Sequence, residues 1–214
     1  MQDIIIICAG SYGREVYWCL RENNRRAIKE GKEPEYNILG FLSDVPVDLE
    51  HYGIRGKVLG RIDNWQPKGD EKYALGLGKP KDKKKLAEKL KERGMEFINI
   101  VSCWARVLPD IKMGEGCFIT AGSFVGCDVK LGNFVNINGS MIYSGAIIDD
   151  YSTTTGFTVV ERSHIHEGVY IGSKAVIAED REVGEWSNVS VGSVVSENIR
   201  PGVTVFGMPA QEIG

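Results

Sequence analysis

From about Ile111 onward, apolar residues recur at every sixth position of the chain. This period predicts a parallel β-helix, in which three short strands form one triangular coil and stacked coils share a core. One aliphatic side chain per unit points inward, and a small residue four places later lets the chain turn. The predicted inward positions are Met113, Ile119, Val125, Leu131, Ile137 and Tyr143, followed by Ile165, Ile171, Ile177, Val183, Val189 and Val195.

The two runs of inward positions are out of phase by two residues. Counting sixes back from Ile165 reaches Thr153 and Ile147, whereas counting forward from Met113 reaches Asp149. We therefore expect a local bulge or loop between Tyr143 and Thr153.

The first hundred residues follow a different pattern, in which strands alternate with helices. The unbroken apolar run Asp3–Cys8 predicts a buried strand, and Arg14 to about Lys32 predicts a helix. Such alternation is typical of a small, mainly parallel α/β sheet. The predicted domains are 1–102, α/β and Rossmann-like, and 103–214, an all-β helix of hexapeptide repeats. Further strands are predicted at Tyr36–Ser43, Ile54–Gly60, Lys72–Leu77 and Phe97–Val101, and a second helix at Pro80–Gly94.

Composition narrows the functional classes. The formal net charge of −3 gives no reason to expect nucleic acid or an anionic membrane as a partner. No apolar run approaches a membrane span, and no secretory signal is expected at the start. The five cysteines show no zinc or redox spacing, which favours reduced thiols and a cytoplasmic location.

Three segments carry a resemblance to a known family: IIIICAGSYGREV at the start, YALGLGKPKDKKKLAEKLKERGMEFINIVS in the middle, and VGSVVSENIRPGVTVFGMPAQEI at the end. In this order they resemble the hexapeptide-repeat sugar O- and N-acyltransferases of the sialic-acid O-acetyltransferase and bacillosamine N-acetyltransferase type. The resemblance implies a left-handed β-helix and a homotrimer. It also implies a nucleotide-activated amino sugar on the N-terminal domain, acetyl-CoA in a groove between neighbouring β-helices, and a histidine as general base.

The turn Ala9-Gly10-Ser11-Tyr12-Gly13 links the first strand to the first helix. It lacks the G-x-G-x-x-G pattern, so a nicotinamide oxidoreductase, the third function considered, is disfavoured. Two interpretations stay open, a plain structural βα turn and a ligand-binding turn. By resemblance, the nucleotide sugar would contact Gly10, Ser11, Tyr12, Gly13, Ser43 and Asp44.

The family's base is missing from its usual place. That position falls on Tyr143, Ser144 or Gly145, none of which titrates near neutral pH. A second family histidine, which touches acetyl-CoA, falls near Ser152 or Thr153.

His164 and His166 are the candidate catalytic residues that remain. They flank Ile165, so both should point outward on the same side, within reach of Glu161 or Glu167. A metal site is not predicted, because the sequence places too few ligands there. The interpretations left open are solvated surface histidines, a substitute base and an intersubunit contact.

Coenzyme binding is predicted by resemblance alone, at small residues that coil geometry also requires. The positions are Ser152, Gly172, Ser173, Val191, Gly192, Gly207 and Pro209. The sequence thus predicts an acetyl-CoA-dependent acyltransferase that acts on a nucleotide-linked amino sugar. The alternative is a non-catalytic trimeric relative that binds a nucleotide sugar or serves as a scaffold.

Overall fold

A computed structural model describes residues 1–213 of the chain. Its contacts divide the chain into two compact units. The first comprises residues 1–78 and 85–103, and the second comprises residues 79–84 and the described residues from 104 onward. No helix among the described residues is long and apolar enough to cross a membrane.

The first unit contains a four-stranded parallel sheet with strand order β3-β2-β1-β4. Its central strand β1 carries the isoleucine run Ile4–Ile7, which is at most 1% exposed, since β2 and β4 pair with its two edges and helix α1 packs against it. Helix α1 begins three residues before the predicted start and ends three before the predicted end. The elements are β1 (Gln2–Ile7), α1 (Ser11–Lys29), β2 (Tyr36–Leu42), a 3-10 turn (Glu50–Tyr52), β3 (Val58–Gly60) and β4 (Lys72–Leu75).

The segment after β4 differs from the prediction in two respects. Helix α2 covers Pro80–Lys91 and so ends three residues before the predicted Gly94, and the strand predicted over Phe97–Val101 is reduced. Phe97 forms only an isolated bridge with Tyr73, and strand β5 is limited to Ile100–Val101.

The second unit is a parallel β-helix, as the six-residue period predicts. Its two-residue strands stack on three faces of a prism. Face 1 contains β6, β9, β12, β15, β18 and β21; face 2 contains β7, β10, β13, β16 and β19; face 3 contains β8, β11, β14, β17, β20 and β22, with β23 antiparallel at its end. The strands are β6 (Arg106–Val107), β7 (Lys112–Met113), β8 (Phe118–Ile119), β9 (Phe124–Val125), β10 (Lys130–Leu131), β11 (Asn136–Ile137), β12 (Met141–Ile142), β13 (Ile147–Ile148), β14 (Thr153–Thr154), β15 (Val159–Val160), β16 (His164–Ile165), β17 (Tyr170–Ile171), β18 (Val176–Ile177), β19 (Glu182–Val183), β20 (Asn188–Val189), β21 (Val194–Val195), β22 (Thr204–Gly207) and β23 (Ala210–Ile213).

The expected bulge between Tyr143 and Thr153 is wrong. Instead, two turns are each one residue shorter than the usual four, at 138–140 and at 161–163. Together they account for the two-residue shift, and the parallel pairing continues through both coils without a register break. The inward residue of β12 is consequently Ile142, which is fully buried, and Tyr143 is exposed.

Candidate functional site on the β-helix

The two C-terminal histidines meet an aspartate on the outer surface of face 2. His164 is the outward residue of β16, and its Nε2 lies 2.7 Å from Oδ2 of Asp149. His166 follows the same strand, and its Nδ1 lies 3.7 Å from the same oxygen. The two imidazole rings stack with centroids 4.0 Å apart. All three side chains are partly exposed, so this His-His-Asp cluster is accessible from solvent.

Coil geometry explains why the cluster forms at this place. The residue after each inward position of face 2 is glycine in other coils, at Gly114, Gly132 and Gly184. A Cβ at any of these glycines would stand within 2.8 Å of backbone in the next coil. Asp149 and His166 occupy the equivalent positions in two successive coils, so their side chains emerge side by side. A departure from a local structural rule is common at functional sites.

The acidic partner differs from the one that the sequence suggested. Glu161 and Glu167 were the expected neighbours, but Glu167 forms an ion pair with Lys84, with Nζ and Oε1 2.6 Å apart. Glu182, the residue beside His164 in the next strand, instead faces Nε2 of His166 at 3.5 Å. Sequence reasoning missed Asp149 because it lies 15 residues from His164, across one whole coil.

By resemblance, a general base is expected two residues after an inward position, which is Ser144 because Ile142 points inward. Ser144 precedes β13, whereas Asp149 follows it. Tyr143 and Ser144 line a shallow cleft of about 350 Å3 with Glu161, Arg162 and Glu179. None of these side chains is an imidazole.

In the first unit, the predicted sugar contacts surround the carboxyl ends of β1 and β2. Gly10 precedes helix α1, and its exposed backbone can approach a ligand closely. Gly13 serves packing instead, because a Cβ there would lie 2.0 Å from the carbonyl oxygen of Cys8. Ser11 is exposed, and the Tyr12 ring lies beside Gly78.

The side chains of Ser43 and Asp44 differ in whether they can contact a bound ligand. The Ser43 hydroxyl donates to the carbonyl of Val45 at 2.7 Å and is buried, so its side chain is used by its own turn. The Asp44 carboxylate lies near Arg61, at 3.6 Å, and near the Cys8 thiol. Burial, with a smaller contribution from Asp44, raises the pKa of that thiol to about 11.

Four of the predicted coenzyme positions come together at the corner between faces 3 and 1. The backbone N–H of Gly192 donates to the carbonyl of Ser173 at 2.9 Å, and a Cβ on Gly172 would lie 2.6 Å from the Val191 nitrogen. These residues therefore occupy two stacked turns of one corner. Gly207 and Pro209 lie farther along, in the β22–β23 hairpin, where the Met208–Pro209 peptide bond is cis.

Ser152 does not join that corner. Its side chain is fully buried, and its hydroxyl donates to the carbonyl of His166 at 2.8 Å. The Ser152 carbonyl in turn accepts a hydrogen bond from Nζ of Lys83, at 3.2 Å. In the structure, Ser152 therefore belongs to the interior of a coil.

Sequence reasoning also missed a cleft of about 660 Å3 on face 3. Outward side chains of three successive strands form its floor, and residues 79–82 form its rim. The signal in the sequence is an aromatic or amide residue just before an inward aliphatic one. The floor residues are Tyr170, Asn188 and Thr204, with Trp186 beside them.

Comparisons with known proteins bear on both halves of the chain. No family model matches it. A serine acetyltransferase from Salmonella typhimurium is 32% identical over 117 residues, which cover 53% of this chain and 40% of that protein. The chain thus spans about two fifths of the length of the curated relatives it matches.

Solved structures match over the whole chain. The acetyltransferase domain of PglB from Neisseria gonorrhoeae has a TM-score of 0.82 at 19% identity and covers 100% of both chains. It is also known in complex with acetyl coenzyme A. PerB from Caulobacter crescentus, in complex with CoA and GDP-perosamine, has a TM-score of 0.83 at 19% identity and covers 100% of this chain and 98% of its own.

The expected resemblance is therefore confirmed: this chain has the fold of the sugar N-acetyltransferases, and about half of it is similar in sequence to hexapeptide-repeat acyltransferases.

Proposed function

We propose that this protein is an acyl-CoA-dependent acyltransferase, with acetyl-CoA as donor, that modifies a nucleotide-linked amino sugar. The observation that carries the proposal is the match of the whole chain to sugar N-acetyltransferase structures, one of which holds both CoA and GDP-perosamine. The sequence similarity of about half of the chain to acyltransferases of other acceptors supports the same reaction type.

In this proposal the first unit is the Rossmann-like, nucleotide-sugar-binding domain. Gly10, Ser11 and Tyr12 lie at the amino end of helix α1, where backbone N–H groups favour a phosphate. Asp44 follows the neighbouring strand β2, so its carboxylate stands at the same edge of the sheet, as ligand-binding residues of such sheets do.

Coenzyme A would bind along the corner formed by Gly172, Ser173, Val191 and Gly192. The β-helix in this proposal is left-handed, and three copies associate so that each corner faces a neighbouring β-helix. Val191 is 59% exposed, which leaves an apolar surface available to the coenzyme or to a neighbouring copy.

His164 is the proposed general base. The Asp149 carboxylate accepts from Nε2, which places the ring proton there and leaves the lone pair of Nδ1 to take a proton from the acceptor amine. As His164 takes this proton, the amine attacks the thioester carbonyl, the bond from carbon to sulfur breaks, and the leaving CoA sulfur receives the proton from His164 and departs as the thiol. His166 stacks on the His164 ring and limits its rotation.

The test of the activity is direct. The purified protein would be incubated with acetyl-CoA and, in turn, with GDP-, UDP- and dTDP-linked amino sugars, and the free CoA thiol and acetylated sugar would be measured. We expect release of thiol with at least one amino sugar. No thiol release together with no binding of CoA contradicts the proposal.

The base is tested separately with His164→Gln and Asp149→Asn. General acid–base catalysis contributes about 10²–10⁴-fold, so we expect a loss in kcat of that order for His164→Gln. His51→Gln is the matched control, because it removes the histidine of the first unit and leaves the cluster intact. Unchanged kcat in His164→Gln would remove His164 from the mechanism but not the acyltransferase assignment.

A second candidate is a non-catalytic relative that retains nucleotide-sugar binding. It is favoured by the sequence at Tyr143, Ser144 and Gly145, the positions at which the resemblance implies a histidine base and which carry none. Binding of nucleotide sugar and CoA without turnover would support this candidate, and a gain of turnover in Ser144→His would strengthen it.

A further inference from the structure

The His-His-Asp cluster also has the composition and spacing of a metal site. The donor atoms of Asp149, His164 and His166 all lie within 4.8 Å of one another. Zinc bonds to nitrogen and oxygen are about 2.0–2.1 Å long, which sets tetrahedral ligand atoms about 3.3 Å apart. The two separations of 2.7 and 3.7 Å from the Asp149 oxygen bracket this value.

A second feature points the same way. The Glu182 carboxylate lies 3.5 Å from Nε2 of His166, while Nδ1 of that ring faces Asp149. Histidine ligands commonly donate their other ring N–H to a carboxylate, which fixes the tautomer and orients the ring toward the ion. Glu182 is placed to do this for His166, with Nδ1 left to face the ion.

The ligand types favour a particular class of ion. Two imidazoles and one carboxylate suit zinc and neighbouring divalent transition metals, whereas magnesium and calcium prefer oxygen ligands alone. Three protein ligands on a solvent-facing surface leave a fourth position for water.

We propose that Asp149, His164 and His166 bind one divalent transition-metal ion of the zinc class per chain, and that Glu182 positions His166 from the outside. The sequence predicts no metal here because the third ligand comes from the preceding coil. The proposal does not depend on acyl transfer. An ion on Nε2 of His164 places the ring proton on Nδ1, so His164 can act as the proposed general base only in the ion-free chain, and the ion-bound chain is a second state of the same cluster.

The experiment uses the full chain after treatment with a chelator and dialysis. Zn²⁺ is titrated by calorimetry, and Co²⁺ serves as a spectroscopic probe of nitrogen and oxygen coordination. We expect one Zn²⁺ per chain in the wild type and in His51→Gln, and the loss of that ion in the double variant His164→Gln/His166→Gln. Circular dichroism checks that each variant is folded.

A variant of Glu182 distinguishes binding of the ion at the His-His-Asp cluster from binding elsewhere on the surface. Loss of an outer-shell partner typically costs 10–100-fold in metal affinity, so Glu182→Gln should raise the Kd for Zn²⁺ by about that factor. Equal binding in the wild type and the double variant would overturn the proposal, since the ion would then be held elsewhere, for example by cysteine thiols. A Co²⁺ spectrum dominated by sulfur coordination would overturn it as well.

Discussion

At the scale of single residues, the most unusual side chain is Lys83 in the second unit. It is only 1% exposed, and its Nζ donates to the Thr153 hydroxyl at 2.9 Å and to the Ser152 carbonyl at 3.2 Å. Burial lowers the pKa of this amine to about 7, and the nearby Cys117 opposes the shift. A lysine that loses its charge on folding makes stability depend on pH.

The direction of this dependence follows from the proton balance. Between pH 7 and about 10.5 the unfolded chain keeps the Lys83 proton while the folded chain has released it, so the free energy of unfolding should rise with pH, on the order of a few kcal/mol. Below pH 7 Lys83 is protonated in both states, so the free energy of unfolding no longer changes with its titration and the folded chain bears the full cost of the buried charge. Lys83→Met should abolish the rise. The measurement is denaturant unfolding across this pH range.

The pH dependence of the free energy of unfolding should be measured in wild type and variants, and the difference between them assigned to Lys83. Burial raises the pKa of the Cys117 thiol to about 11, so ionisation of the unfolded chain above about pH 9 lowers stability and overlaps the lysine effect. Lys85→Met, an exposed lysine of the same helix, is the control and should leave the slope unchanged. A slope that is equal in wild type and Lys83→Met would show that Lys83 folds in its charged form.

At the scale of elements, the coil depends on glycine at particular points and tolerates other residues elsewhere. A Cβ on Gly172 would lie 2.6 Å from the Val191 nitrogen and 3.0 Å from the Ser190 carbonyl carbon, both backbone atoms of the next coil. A Cβ on Gly156 would meet no atom within 4 Å, and this glycine has no positive φ. The stacking of coils, and not backbone freedom, therefore requires Gly172.

Paired substitutions test this point. Gly172→Ala should lower the free energy of unfolding by at least about 1–3 kcal/mol, because the methyl group forces two coils apart. Gly156→Ala should change it by no more than about 1 kcal/mol, and in the stabilising direction if at all. Thermal or urea denaturation measures both. Similar losses in the two variants would mean that chain flexibility, rather than coil spacing, sets the requirement.

At the scale of the whole molecule, one corner of the β-helix carries exposed apolar side chains. Phe157 and Val191 each follow a face-3 strand and precede a face-1 strand, and they are 77% and 59% exposed. Apolar side chains aligned along one edge are typical of an interaction surface. The trimer in our proposal places this corner against a neighbouring copy.

Light scattering on the purified protein should therefore give the mass of three chains. Phe157→Glu/Val191→Glu should shift the mass toward that of one chain while the circular dichroism spectrum is retained, because two charges would be buried in the interface. Val45→Glu, at an exposed apolar residue of the first unit, is the control and should remain trimeric. A wild-type mass of one chain would contradict the trimer.

The sequence by itself determined the repeating architecture. A six-residue period of aliphatic side chains, with Ile119, Ile137 and Ile171 each fully buried, specifies a coil because each unit repeats the same local choice of strand and turn. The isoleucine run of β1 similarly identified a buried parallel strand. Both patterns lie along the sequence, so predicting these elements requires no knowledge of which residues meet in the folded chain.

Only the tertiary structure decided which side chains meet across coils. Partners in adjacent coils are 18 residues apart where all turns have four residues, as between Lys112 and Lys130, but 17 apart between Ile147 and His164. A turn shortened by one residue reduces the sequence separation of every pair that spans it. The six-residue period alone does not say which turn is short. For that reason the sequence predicted the two histidines, whereas the fold supplied Asp149.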